Sequence, residues 1–178
     1  MELSRTAGRQ RRFSAAAATV LLLGLTACSG EREGQDYSVP DSLCGAKINA
    51  ALLSSFLPPG KELTTQGSTP AINVTKCRVY IDGKPVAQTS QEWWDNMNIL
   101  EFSRGLTLDD PTRQTGDGLY AYSDQQAFGK ASRCNNRDHK NQVLYTAIQI
   151  SGSKHRNADS MQKLISEYTI ALEQSSVC

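Results

Sequence analysis

The sequence predicts an α+β domain, in which an antiparallel sheet of about five strands carries an N-terminal and a C-terminal helix. Apolar residues recur at helical spacing near both ends of the domain, over residues 41–57 and 158–174. Between these segments, apolar and polar residues alternate in short runs separated by turn-forming residues. The simplest arrangement places both helices on one face of the sheet.

The first predicted element is a helix from about Asp41 to Leu57. Asp41 or Ser42 can cap its N-terminus, and the sequence Pro58-Pro59-Gly60 cannot continue it. Its buried stripe is expected from residues that recur every four positions, namely Cys44, Ile48, Leu52 and Phe56.

A loop over residues 60–70 is expected to lead into a β-hairpin. In the first strand Cys77, Val79 and Ile81 alternate with polar residues. The turn is predicted at Asp82-Gly83-Lys84, after which the chain returns toward Trp93 and Trp94.

The centre of the domain gives weaker patterns. Residues 98–102 fit either a short strand or a helical turn, and residues 105–118 fit a long loop. Three further strands are predicted at residues 119–123, 127–134 and 142–150, with Gly129 as a candidate bulge.

The last predicted element is a helix over residues 158–174, for which Asn157 or Asp159 is the expected N-cap. Its apolar residues form a continuous stripe: Met161, Leu164, Ile165, Tyr168, Ala171 and Leu172. We therefore expect this helix to pack on the sheet.

The charge balance argues against a nucleic-acid-binding protein. The 178 residues include 19 Lys+Arg and 18 Asp+Glu, for a formal charge of +1, and the basic residues are scattered. Residues 1–27 hold four arginines and one glutamate, so their removal leaves 15 basic and 17 acidic residues.

The N-terminus has the layout of a secretory signal peptide. A basic stretch ends at Arg11-Arg12, and an apolar run follows from Phe13 to Leu25. That run of 13 residues is shorter than the roughly 20 that span a bilayer. General secretion is the expected export route, and a twin-arginine signal at Arg11-Arg12-Phe13 is the alternative.

Leu25-Thr26-Ala27-Cys28 resembles the lipobox of bacterial lipoproteins, in which the cysteine is lipid-modified and becomes the mature N-terminus. Two acyl chains such as palmitate would give stable membrane anchoring. The expected organisation is a signal peptide at 1–27, a lipidated Cys28 with a flexible tether at 28–39, and one domain at 40–178. The alternative is ordinary secretion with a free thiol at Cys28.

Four cysteines remain if Cys28 carries lipid, and an even number outside the membrane favours disulfides. Of the three possible pairings, we favour Cys44 with Cys77 and Cys134 with Cys178, since these join each helix to the sheet. The sequence contains no C-x₂-C unit, so we expect no metal site.

Several of these features together resemble the small uncharacterised cell-surface lipoproteins of actinobacteria, streptomycetes in particular. The lipobox is followed by VPDSLCGAKINAALLSSFLPPG, by KCRVYIDGKPV, by a strand ending in Cys134 and by a terminal helix ending in a cysteine. The resemblance implies a Gram-positive surface lipoprotein with two disulfides and no assigned reaction.

Candidate catalytic residues are few. His139 follows Asp138 directly, and the two could belong to a Ser/His/Asp triad, but no G-x-S-x-G or S-x-x-K motif supplies a nucleophile. His155 lies in a similar polar segment, and Asp109-Asp110 is a candidate carboxylate pair in a loop sequence. Nucleotide-binding glycine motifs are absent, and we expect no cofactor.

Trp93-Trp94 is the most suggestive sequence feature for binding. In a strand, one ring would face the core and the other solvent. The predicted binding surface combines the exposed tryptophan with tyrosines of a nearby strand: Trp93, Trp94, Tyr120 and Tyr122. Core packing is the competing interpretation.

These observations predict a non-catalytic lipoprotein anchored through Cys28 on the extracytoplasmic face of the cell membrane. Its expected partners are the membrane and an envelope protein or glycan, and no nucleic acid. The alternative is a cell-wall or extracellular hydrolase that uses Asp138 and His139.

Overall fold

The computed structural model describes residues 34–178. The predicted signal peptide, Cys28 and the first part of the predicted tether lie outside the described residues. No helix within 34–178 is long and apolar enough to cross a membrane.

The described chain has an α+β fold, as predicted. In chain order its elements are β1 (Ser42–Leu43), β2 (Ala46–Lys47), α1 (Ala50–Ser54), β3 (Leu63–Ala71), β4 (Val74–Ile81), β5 (Lys84–Trp94), α2 (Ile99–Arg104), β6 (Arg113–Gln114), β7 (Tyr120–Tyr122), β8 (Gln126–Lys130), β9 (Val143–Ile150) and α3 (Ala158–Glu173), with a 3₁₀ turn at Arg137–His139. Strands β3 to β9 form one antiparallel sheet in the order β3-β4-β5-β9-β8-β7-β6. The sheet therefore has seven strands, where about five were predicted.

The helix predicted from Asp41 to Leu57 is wrong over most of its length. Residues 42–47 form the small ribbon β1-β2, and helix α1 begins only after Asn49, whose side chain caps it by accepting a hydrogen bond from the Leu52 N–H. The ribbon turns at Cys44 and Gly45, with φ angles of 48° and 89°. Positive φ at both turn residues suits a two-residue hairpin and is incompatible with a helix.

Residues 63–71 form the edge strand β3, whereas a loop was predicted over residues 60–70. Every residue after Leu63 in this strand is exposed, so its sequence LTTQGSTPA carries no alternation of apolar and polar residues. Pairing with β4 makes it a strand, and Pro70 lies at the register irregularity between Ser68 and Ala71.

The predicted hairpin is confirmed. Strands β4 and β5 pair through a two-residue turn at Asp82 and Gly83, both with positive φ. The register shifts where Val79 pairs with Ala87 and Tyr80 with Pro85, so Val86 is an extra residue in β5.

The structure also decides the central segments. The segment predicted as a strand or a helical turn at residues 98–102 belongs to α2, which Asn98 caps by accepting a hydrogen bond from the Glu101 N–H at 2.8 Å. The three predicted strands appear as β7, β8 and β9. Gly129 is not a bulge, since the pairing of β8 with both neighbours is regular.

The N-terminal helix α1 and the C-terminal helix α3 lie on one face of the sheet, as predicted, and the additional helix α2 lies on the other. Helix α3 packs with α1 on one face, here called the core face, through its buried stripe. The stripe consists of Met161, Leu164, Ile165, Tyr168 and Leu172, while Ala171 is half-buried. Helix α2 covers part of the opposite face with Ile99 and Phe102, which contact Phe128 and Tyr145.

Both predicted disulfides are present, Cys44–Cys77 and Cys134–Cys178. The first joins the β1-β2 turn to β4, and the second joins the chain after α3 to the segment after β8. Each bond ties a peripheral segment to the sheet, although Cys44 lies on a turn instead of on the predicted helix.

Candidate functional site

The two adjacent tryptophans point to opposite faces of the sheet, as their positions in a strand predict. Trp93 is on the core face, 8% exposed, and its ring stacks on the His139 imidazole with centroids 4.1 Å apart. Trp94 is on the opposite face and is 43% exposed. Its indole Nε1 donates a hydrogen bond to Glu92 Oε2 at 2.9 Å.

Tyr120 and Tyr122 belong to the core face, so the four aromatic residues do not form one surface. Tyr122 is buried, and Tyr120 is half-buried against the same core as Trp93. Burial raises the pKa of Tyr120, and the charges of Glu173 and Asp117 act in the same direction. Among the four candidates, Trp94 is therefore the residue that presents a partly accessible ring on the opposite face.

The histidines occupy packed or peripheral positions. His139 Nδ1 is 2.8 Å from Gln142 Oε1, and its ring covers Trp93. Asp138 is exposed, and its N–H donates to Asn136 Oδ1. His155 packs edge-on against Phe56. Within residues 34–178, neither imidazole ring bonds to a serine hydroxyl or a carboxylate, so the structure places no nucleophile beside His139.

The Asp109-Asp110 pair does not act as a unit. Asp110 forms a two-point ion pair with Arg104, with Arg104 Nε 3.0 Å from Oδ1, and this hydrogen bond lowers the pKa of the carboxyl. Both aspartates line a cavity, but Asp109 belongs to no ion pair among the described residues. No group of three or more His, Cys, Asp or Glu side chains in the described range could hold a metal ion.

A polar cavity of about 640 Å³ lies over the face of the sheet opposite to the core face. Its floor comes from β4, β5, β8 and β9, and its walls come from three loops around residues 109–112, 123–125 and 151–156. Strand pairing positions the floor, because residues directly opposite each other in neighbouring strands share a face.

A row of polar side chains, which we call the amide ladder, crosses five neighbouring strands. Each member pairs directly with the next in the sheet register, in the order Gln66, Arg78, Gln88, Gln149 and Gln126. All but Gln66 line the cavity. The last three are half-buried, which separates them from an ordinary solvated sheet surface.

Hydrogen bonds hold the ladder in place. Arg78 Nε donates to Gln88 Oε1 at 3.2 Å, and Gln149 Nε2 donates to the Leu106 carbonyl at 3.3 Å. Gln126 Nε2 donates to the Asp109 carbonyl at 3.0 Å. The loop after α2 is thereby fixed to the floor as a wall of the cavity.

The charges around the cavity largely compensate each other. Asp110 pairs with Arg104, and Asp124 pairs with Arg156 at 3.2 Å. Arg78 and Asp109 are the remaining charged lining residues, one of each sign. The cavity therefore suits a neutral ligand that is rich in hydrogen-bonding groups.

A second, smaller cleft of about 270 Å³ lies between β5 and α2 on the same face. Its lining is mostly apolar and contains two carboxylates: Glu92, Trp94, Met97, Glu101, Phe102, Gly105 and Leu106. Sequence analysis identified Trp94 through the tryptophan pair, whereas it missed Glu92 and the amide ladder.

No protein-family model matches this chain, and neither the curated proteins nor the solved structures include a match.

Proposed function

We propose that this protein is a lipid-anchored lipoprotein on the extracytoplasmic face of the cell membrane, where it acts as a non-catalytic binding module for a polar component of the envelope. The observation that carries the binding proposal is the cavity of about 640 Å³ above the amide ladder. A cavity of this volume is in the usual range for ligand sites, about 300–1,000 Å³.

The lipobox-like sequence ending at Cys28 supports the location. The two disulfides support it as well, because such bonds form and persist in oxidising compartments outside the cytoplasm. Anchoring would keep the domain near envelope components and raise their effective concentration, so that a site of modest affinity is sufficient.

The chemistry of the cavity favours a glycan-like ligand. Each glutamine amide offers both donors and an acceptor, and the Arg78 guanidinium adds further donors. Hydroxyl and N-acetyl groups of a glycan can satisfy these groups without introducing a net charge, which matches the compensated charges of the lining.

The test uses soluble, uncharged N-acetylglucosamine oligomers as the probe, with titration calorimetry of the lipid-free domain. We expect saturable binding that the double variant Arg78→Ala/Gln88→Ala weakens by about tenfold or more, since it removes two adjacent ladder groups. The matched control is Gln162→Ala on α3, which should bind like the parent.

Equal binding by the ladder variant would overturn the assignment of the cavity. A parallel titration with a neutral alanine-glycine peptide separates glycan from peptide recognition, and preference for the peptide would overturn the glycan assignment. Release of new reducing ends, abolished by His139→Ala, would instead support the hydrolase alternative.

A further inference from the structure

The cleft between β5 and α2 contains a buried carboxylate with an unused acceptor. Glu92 is 3% exposed and lines the cleft. Its Oε2 accepts the indole N–H of Trp94 at 2.9 Å, whereas its Oε1 accepts no hydrogen bond from any described residue. Ser90, two residues earlier on the same face of β5, also has an unpartnered buried hydroxyl.

A buried carboxylate oxygen without a donor is unfavourable, and buried polar groups in native proteins are nearly always satisfied. None of the three ion pairs in the described chain involves Glu92. Lys130 reaches the same face, but its Nζ is committed to Asn96 Oδ1 at 2.7 Å and to the Met97 carbonyl at 2.9 Å. A donor from a ligand would remove this cost.

The remaining lining indicates the kind of donor. Glu101 is a second carboxylate, and the cleft is lined by no lysine, arginine or histidine, so the charges favour a cation. Trp94 offers a partly accessible indole face, the ring that binds cations best. Met97, Phe102 and Leu106 provide apolar contact for an aliphatic chain.

We propose that this cleft binds a protonated primary amine at the end of a short aliphatic chain, with Glu92 accepting its hydrogen bond and Trp94 covering it. The volume of about 270 Å³ suits a group of the size of a lysine side chain or a small alkylamine. This site is separate from the polar cavity, so the proposal stands independently of the proposed function.

The proposal is tested by NMR spectroscopy, in which the domain is titrated with n-butylammonium. The backbone amide resonances of Gly105 and Leu106, which line the cleft, report binding. We expect saturable shifts with butylammonium and none with n-butanol, which has a similar shape and no charge. An acetylated, amidated Gly-Lys-Gly peptide and its norleucine counterpart show whether a peptide lysine also enters.

Glu92→Gln keeps an acceptor for Trp94 and removes the charge, and it should weaken butylammonium binding by about tenfold or more. The matched control is Glu62→Gln, which removes an equal charge at an exposed position outside the cleft and should bind like the parent. Trp94→Leu changes an exposed residue and should also weaken binding, so the proposal remains testable if Glu92→Gln does not fold.

Equal shifts with butanol would show that the cleft recognises only apolar groups and would overturn the proposal. Unchanged affinity in Glu92→Gln, or no saturable response of the parent domain, would overturn it as well. The ladder variant Arg78→Ala/Gln88→Ala changes no residue that lines the cleft and should not affect this titration, so failure here is distinguishable from failure of the glycan assignment.

Discussion

Gly129 in β8 lies directly against Thr169 of α3, and the absence of a side chain permits that approach. A Cβ at this position would lie 2.6 Å from Thr146 Oγ1 and in collision with Thr169 Oγ1. These hydroxyls are 2.7 Å apart, and Thr169 Oγ1 also bonds to the Ile165 carbonyl at 2.8 Å. Added volume here must displace the helix or break a buried hydrogen bond.

We therefore expect Gly129→Ala to lower the free energy of unfolding by about 1–3 kcal/mol, as overpacking of a core does. Urea denaturation measures this change. Gly116→Ala is the control, because nothing lies within 4 Å of a Cβ at Gly116, and it should be close to neutral. Adding Thr169→Ala to Gly129→Ala should restore part of the lost free energy of unfolding. If it restores none, the contact between residue 129 and Thr169 is not the cause of the destabilisation.

At the residue scale, membrane anchoring is predicted to depend on Cys28. Cys28→Ala should leave the protein unprocessed or release it from the membrane fraction, because the acylated thiol is the expected anchor. Intact mass of the native protein should show a lipid-modified Cys28 at the mature N-terminus. An unmodified N-terminus at another residue would contradict the lipoprotein interpretation.

At the scale of elements, residues 175–178 tie the end of α3 to the segment that follows β8. Cys178 bonds to Cys134 across a sequence separation of 44 residues, and the Val177 carbonyl accepts a hydrogen bond from Asn136 at 2.8 Å. Deleting residues 175–178 should lower the free energy of unfolding by about 3–4 kcal/mol, mainly through loss of the disulfide.

The double variant Cys134→Ala/Cys178→Ala removes the disulfide and keeps the other contacts of residues 175–178. In urea denaturation it should show most of the loss in unfolding free energy that the deletion shows. If both variants had the same free energy of unfolding as the parent, residues 175–178 would not stabilise the position of α3.

Tyr168 of helix α3 should make the stability of the fold depend on pH in the alkaline range. Burial raises the pKa of this phenol above its usual 10.0, although hydrogen bonds with Thr89 and Gln91 oppose the shift. The folded state therefore favours the neutral form. This contribution is fully present below the unfolded pKa of about 10 and is lost as pH rises through the folded pKa.

The expected result is a fall in unfolding free energy above about pH 10, measured by urea denaturation at a series of pH values. Tyr168→Phe should be less stable at neutral pH, because it loses two hydrogen bonds, and its stability should fall less steeply at alkaline pH. An identical slope in both proteins would assign the effect to other groups, such as Tyr120 and Tyr145, whose pKa values burial also raises.

The elements that sequence predicted correctly are those whose pattern matches their environment. The hairpin alternates because one face is buried, and α3 has a continuous stripe because it lies on the core. The prediction of one helix over residues 41–57 was wrong, although apolar residues recur there every four positions. The first part of this segment is a ribbon that turns at Cys44-Gly45. Strand β3 gave no signal, since it is exposed on both faces.

The candidate site depends on the whole molecule, which explains why sequence revealed only part of it. Strand alternation predicted that one ring of the Trp93-Trp94 pair is exposed, but it did not tell which of the two. The amide ladder requires the register of five strands, and the residues that pair across β5, β8 and β9 are distant in sequence. No local pattern specifies that register.

We expect the core face to carry stability and the opposite face to carry the proposed binding, and variants of His139 and Trp94 test this division. His139 stacks on buried Trp93 at the core face, so His139→Ala should lower the melting temperature by several degrees and leave butylammonium and glycan titrations unchanged. Trp94 is a partly exposed ring of the cleft, so Trp94→Ala should abolish the butylammonium response. Its melting temperature should fall as well, because the variant removes the N–H that Glu92 Oε2 accepts. Both effects are measured on the same folded preparations by thermal unfolding and titration. If His139→Ala instead removes the cellular function while Trp94→Ala retains it, the binding-module proposal is wrong and catalysis involving Asp138 and His139 becomes the better explanation.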